Sequence, residues 1–171
     1  MTDQEALALA LDKNTSAEVL DKISENEDQF VRVRVAAHMN TSSETLVKMS
    51  KDESEFVREF VAEHPSTPVE TLVALSDDRQ VISWVAGNVN TPVEILEKLS
   101  SDRDEFVRIS VAVNPNTTIS VLDKLSKDED INVRAAVAKN PMVSAEILDR
   151  LSEDAEEDVR KVVAEHPSRV A

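Results

Sequence analysis

The chain has 171 residues, 41% of them hydrophobic, with a formal net charge of −15, one glycine and no cysteine. That length predicts one folding unit without a second domain, and so acidic a field repels nucleic-acid phosphates and anionic membranes, leaving a protein, and by charge a basic one, as the expected partner. Without cysteine there can be no disulfide, thiolate metal site or cysteine nucleophile, which fits a reducing compartment and a cytoplasmic location.

The first segment, Met1 to Ala10, carries Asp3 and Glu5 instead of a basic leader, and no apolar run nears the roughly 18 residues a spanning helix needs. Asp3 to Lys13, with Leu7, Leu9 and Leu11, fits the second half of a repeating unit and is expected to act as an N-terminal cap over residues 1–13. Repeats then begin at Asn14, Asn40, Ser66, Asn90, Asn116 and Met142, spaced by 26 residues except for one step of 24, and 168–171 form a tail. Within each repeat a first helix is marked by Leu20, Leu46, Leu72, Leu96, Leu122 and Leu148, each followed at i+3 by Ile, Met or Leu and then by a serine. A second helix follows, marked by the pairs Val31/Val35, Val57/Val61, Val81/Val85, Val107/Val111, Val133/Val137 and Val159/Val163, with an alanine after each pair. The alanines leave room for a close neighbour.

The borders of these helices carry their own signals. Thr15, Thr41, Thr67 and Thr91 stand three residues before Glu18, Glu44, Glu70 and Glu94, the spacing of a capping box, and Pro68 and Pro92 fall at the expected first helical position. Pro65, Pro115, Pro141 and Pro167 close the second segments, each behind a His or Asn. Segments of about eight to ten residues are marginal alone, so the array is expected to fold as one cooperative body.

The consensus N-T-P-x-E-x-L-x-K-L-S-x-D, four variable residues and V-R-x-x-V-A-x-N-P resembles the leucine-rich repeat variant family, as in Asn90 to Pro115 and Asp130 to Pro141. The resemblance runs from residue 14 to 168 and implies an all-α fold, a right-handed α-solenoid of about six 24–26-residue two-helix repeats, related in shape to HEAT arrays. The family alternates α and 3₁₀ helices, and the 26-residue spacing here leaves open which form the second segment takes. Some members carry an iron–sulfur cluster on N-terminal cysteines; with no cysteine, this chain is expected to hold no cofactor. The family supplies no general catalytic activity, and fold alone is a weak guide to function.

Three constellations could carry chemistry. An aspartate stands six residues before the repeat arginine in Asp52/Arg58, Asp102/Arg108, Asp128/Arg134 and Asp154/Arg160, with Asn26/Arg32 as a softer version, and these are read as a structural ladder of charge-assisted hydrogen bonds between units. The third repeat lacks two residues after Asp78, reads Ile82 in the arginine column and Gln80 in a phenylalanine column, and holds the single Trp84 and the single Gly87. Phe60, Ile82 and Trp84 are therefore the candidate partner-binding residues, because departures from a regular pattern mark functional or strained places and aromatics dominate binding hot spots; the alternative is that Trp84 fills the gap left by the deletion. His38, His64 and His166 share a column with Asn88, Asn114 and Asn140; neighbours about 10 Å apart cannot converge on one ion, so helix C-terminal capping is the expected role and no metal site is expected.

No nucleophile motif or glycine-rich phosphate loop is present, so the chain is not expected to be an enzyme. The favoured function is a non-catalytic protein–protein interaction scaffold or adaptor, with an acidic nucleic-acid mimic that occupies a basic DNA- or RNA-binding protein as the alternative. The oligomeric state is open, with a monomer the expected form.

Overall fold

The computed structural model describes residues 1–169, and among these every regular element is an α-helix. A leading helix α1 (Asp3–Leu11) is followed by six helix pairs: α2 (Ala17–Ile23) and α3 (Gln29–Ala36), α4 (Ser43–Met49) and α5 (Glu55–Glu63), α6 (Val69–Leu75) and α7 (Ile82–Gly87), α8 (Val93–Leu99) and α9 (Glu105–Val113), α10 (Ile119–Leu125) and α11 (Ile131–Lys139), α12 (Ala145–Leu151) and α13 (Glu157–Ala164). Both segments of every pair are α-helical, which answers the question the repeat length had left open. The chain packs as two compact units, Met1–Asn90 and Thr91–Ala171.

Each pair is built from residues too few to stand alone. First helices have seven residues and second helices six to nine, so stability must come from side chains buried against neighbours rather than from helix propensity. The six column leucines and the twelve column valines are all buried. Ala36, Ala62, Ala86, Ala112 and Ala138 are fully buried, and their small side chains let second helices approach: α1, α3, α5 and α7 stack in order in the first unit, and α9, α11 and α13 in the second. The N-terminal α1 thus occupies the position of a second helix, packed on α3 as α3 packs on α5.

The helix borders correct two sequence expectations. The N-caps of α2, α4, α6, α8, α10 and α12 are Ser16, Ser42, Pro68, Pro92, Thr118 and Ser144, one residue later than the threonines taken for caps, so Pro68 and Pro92 stand at the cap and not inside the helix. The threonine hydroxyls turn backwards instead. Thr15 donates to the Leu9 carbonyl at 2.6 Å, and Thr41, Thr67 and Thr117 donate to the Val35, Val61 and Val111 carbonyls at 2.5 Å. Each satisfies an orphan carbonyl at the end of the preceding helix while it starts the next repeat. The one complete capping box described is Thr2 with Glu5. The serine column has the matching task at the other helix end: Ser24, Ser50, Ser76, Ser100 and Ser126 each donate to the carbonyl three residues back at 2.7 Å.

Candidate functional site

Two ladders of polar side chains stitch neighbouring pairs within each unit. In the first, a guanidinium links its own inter-helix turn to the next one. Arg32 donates through Nη1 to the Asn26 and Glu27 carbonyls, both at 3.0 Å, and grips Asp52 of the following repeat with Nε at 2.7 Å and Nη2 at 3.0 Å. Arg58 repeats the grip on Asp78, Arg108 on Asp128 and Arg134 on Asp154, with Nε to Oδ2 distances of 2.7–2.8 Å. The carboxylate partner is therefore the aspartate twenty residues on. The aspartate six residues before offers only its backbone carbonyl, as from Asp52 to Arg58 at 2.7 Å, Asp102 to Arg108 at 2.9 Å, Asp128 to Arg134 at 2.9 Å and Asp154 to Arg160 at 2.5 Å. The carboxylates have a second task in the turn, Asp52 accepting from the Ser54 N–H and Asp102 from the Asp104 N–H, each at 2.9 Å.

Charge and burial act in opposition here. Burial pushes the Asp128 carboxyl up, but the bonds from Arg108 and from the Asp130 N–H outweigh it and hold the group below the ordinary carboxylate value. At Asp154 the Arg134 bond is the dominant cause and the direction is again downward. These guanidiniums are consumed by structure and are not free to receive a ligand phosphate.

The second ladder is the His/Asn column. His64 Nε2 lies 3.1 Å from the His38 carbonyl and its Nδ1 accepts from the Ser66 N–H at 3.0 Å. Asn88 does the same work with its amide, donating to the Ala62 and His64 carbonyls and accepting from the Asn90 N–H at 2.8 Å. Asn140 donates to the Ala112 and Asn114 carbonyls at 2.7 and 2.9 Å. A neutral imidazole protonated on Nε2 presents one donor and one acceptor along the lines of an asparagine amide, which explains why the two residues share a column. They bond the preceding repeat's backbone as well as closing their own helix. Burial lowers the His64 pKa, opposed by its bond to the His38 carbonyl, so the neutral form is favoured.

The third repeat keeps the second ladder and takes the Arg58 grip on Asp78, but has Ile82 where its own arginine would stand. The missing residues correspond to Glu53 and Ser54 of the repeat before, and their loss shortens the second helix at its start: α7 is six residues long against nine in α5, and neither Ser54 nor Val81 makes a side-chain cap. Ile82 takes the arginine position and is buried, so it packs inside and cannot be presented to a partner. Trp84 behaves in the opposite way. The residue is 42% exposed and stays at the surface, so Ile82 and not Trp84 is the buried replacement. Trp84 lies near Glu59 on α5, whose pKa is raised by burial and by Glu55 against a lowering influence from Trp84.

Phe60, in the same column on α5, is half-buried and lines a shallow notch of about 300 Å³ with Ala37, Met39, Glu63, His64 and Pro65. Structure and sequence thus bring Phe60 and Trp84 onto the same layer of stacked helices in Met1–Asn90, with Ile82 behind them. A further set of aromatics was not marked as a site by the repeat pattern. Phe30, Phe56 and Phe106 are 67%, 51% and 66% exposed. Their place two residues after the helix caps Asp28, Ser54 and Asp104 is the signal that could have shown it, because a side chain there projects outside the seam.

Among the described residues no three His, Asp or Glu side chains are grouped to hold a metal ion, and no helix is long and apolar enough to cross a membrane.

Comparison with known proteins agrees with the repeat architecture. The family model described as leucine rich repeat variant matches residues 55–80. A solved structure described as a leucine-rich repeat variant with a novel repetitive protein structural motif is 28% identical, with a TM-score of 0.68 over 94% of this chain and 66% of that one. The chain thus spans just under two thirds of that structure's length. An engineered protein aligns at 20% identity with a TM-score of 0.33, too low to support any inference. No curated protein matches.

Proposed function

Because the chain is a helical-repeat protein of the leucine-rich repeat variant kind, we propose that it works as a non-catalytic scaffold that binds another protein, with Phe60 and Trp84 on the second-helix layer of Met1–Asn90 as anchors. The observation that carries this reading is the exposed Trp84. A large aromatic surface left in water forgoes the burial that would stabilise the fold, whereas the same surface held rigid beside a second aromatic is what interface hot spots are made of.

The acidic mimic is less well supported, since mimicry needs free carboxylates in regular array and Asp52, Asp78, Asp128 and Asp154 are already paired with arginine. Salt separates the two readings: affinity carried by Phe60 and Trp84 changes little with ionic strength, and affinity from phosphate mimicry falls steeply.

The test is capture of partners on immobilised protein, comparing the wild type with a Phe60→Ala, Trp84→Ala double variant. The expected result is one or more proteins retained by the wild type and lost with the variant. A partner retained equally by both would overturn the assignment of these anchors.

A further inference from the structure

Gly87 is the only glycine in the chain, and the structure gives no folding reason for it. Glycine near a helix end is ordinarily selected for positive φ, or where a Cβ would collide with a neighbour. Neither holds: no glycine has positive φ, and a Cβ built on Gly87 meets no atom within 4 Å. The column that reads Ala37, Glu63, Gly87, Val113, Lys139 elsewhere tolerates side chains of every kind. At Gly87 the surface has been left open. Three residues before it on the same helical face stands Trp84.

The notch beside Phe60 shows what that opening adds. There the turn after α3 contributes Ala37 and Met39, α5 contributes Phe60 and Glu63, and the turn after it His64 and Pro65. Helix α7 packs on α5 in the same order, so one step on the same columns hold Glu63 and Pro65 with Trp84, Gly87 and, just past α7, the exposed Val89. The notch at Phe60 is thus followed by an open stretch beside Trp84 to which Gly87 adds no side chain.

The charges on this strip select the occupant. Glu59 and Glu63 flank the two aromatics, Glu55 lies one turn before Glu59, and Arg34 stands in the same column beyond Phe60 as its one basic end. The whole chain carries −15. A basic segment is matched, and guanidinium or ammonium groups gain further from aromatic faces. The spacing selects its conformation. Stacked helices repeat every 8–10 Å, roughly the advance of three residues of polyproline II at about 3.1 Å each, whereas same-face residues of a β-strand recur about every 6.8 Å. An α-helix some 10 Å across is too broad for so small a notch.

We infer that the strip over Phe60, Trp84 and Gly87 seats a basic, proline-rich segment of the partner in polyproline II conformation, with one apolar side chain in the Phe60 notch, the next against Trp84 over Gly87, and lysine or arginine on Glu59 and Glu63. This rests on the scaffold reading and names the chemistry of its ligand. Gly87 acts as the specificity position, because any side chain there would cover the open surface beside Trp84.

The test uses a fluorescein-labelled dodecapeptide of four Arg-Pro-Leu units, with Glu-Pro-Leu and Arg-Ala-Leu versions as controls, titrated into the full chain by fluorescence anisotropy and by the emission of the single Trp84. The expected result is saturable binding of the Arg-Pro-Leu peptide with a change in Trp84 emission, at least tenfold weaker binding of both controls, and at least tenfold loss in Gly87→Met with a melting temperature no lower than the wild type's. Equal binding of the acidic peptide, no binding of the basic one, or binding indifferent to Gly87→Met and Trp84→Ala would each overturn the inference. The scaffold reading fails separately, on an immobilised wild-type chain that retains no protein partner.

Discussion

Helices α5 and α7 are neighbours in the same unit and show what a repeat must keep and what it can release. Both bury the valine pair and the alanine after it, Val57, Val61 and Ala62 in one and Val81, Val85 and Ala86 in the other, and both end on a buried residue that ties back to the preceding repeat, His64 or Asn88. They differ everywhere else. Helix α5 has a full first turn and an arginine gripping the next turn's aspartate, while α7 has lost two residues, its first turn and its arginine, and shows Trp84 beside an open Gly87. The apolar seam and the His/Asn ladder therefore define the fold, and the arginine ladder and outer columns are free to be altered where a surface is used.

The seam should break equally in both repeats. Leu46→Ala and Leu72→Ala each remove a fully buried side chain and are expected to cost about 2–5 kcal/mol in urea unfolding. A large difference between them would show that the third repeat is packed by other means. Next in size is the first ladder: Asp52→Ala strands the buried Arg32 guanidinium and is expected to cost roughly 3 kcal/mol. Ile82→Val, in the column position that has no charge to strand, should cost only about 1 kcal/mol.

Titration sharpens the same contrast. His64 favours its neutral form when folded, so the folded state binds a proton more weakly than the unfolded chain; this contribution is complete above the unfolded value of roughly 6.5 and is lost as pH falls through it toward the lower folded value. His64→Asn keeps a donor and an acceptor in place and is expected to be neutral within about 1 kcal/mol at pH 8 while flattening the unfolding free energy between pH 5 and pH 7. Asp128 and Asp154, both depressed, contribute above the ordinary carboxylate range of about 3.9, and their stabilisation is lost only as pH falls through their lower folded values. The smallest effect belongs to Gly87→Ala, expected to stabilise by up to about 0.5–1 kcal/mol because nothing obstructs the methyl group.

The repeat register, the leucine, valine and alanine columns and the helical class of the fold were legible in the sequence because burial repeats with the period of the unit. Partner identity along the ladders was not. Asp52 lies six residues from Arg58 and twenty from Arg32, and only the stacking of one pair on the next decides that its carboxylate serves Arg32 while its carbonyl serves Arg58. The threonines misled for a similar reason: a hydroxyl three residues before a glutamate fits a capping box, yet the chain turns so that the preceding helix's last carbonyls lie closer. At the candidate site, the irregular repeat was visible as a break in pattern, but whether Ile82 or Trp84 filled the space depended on which column faces the seam. Phe30, Phe56 and Phe106 were legible as a column but not as exposed, because a recurring apolar spacing ordinarily means burial and these sit just outside the seam.

The claim that Trp84 stands ready at the surface, with Ile82 buried in its place, is tested most directly by the fluorescence of the free, folded protein, which has a single tryptophan. The expected result is long-wavelength emission that acrylamide quenches readily, unchanged in Ile82→Val. Emission shifted to the blue and shielded from quencher would place the indole in the core and contradict the account.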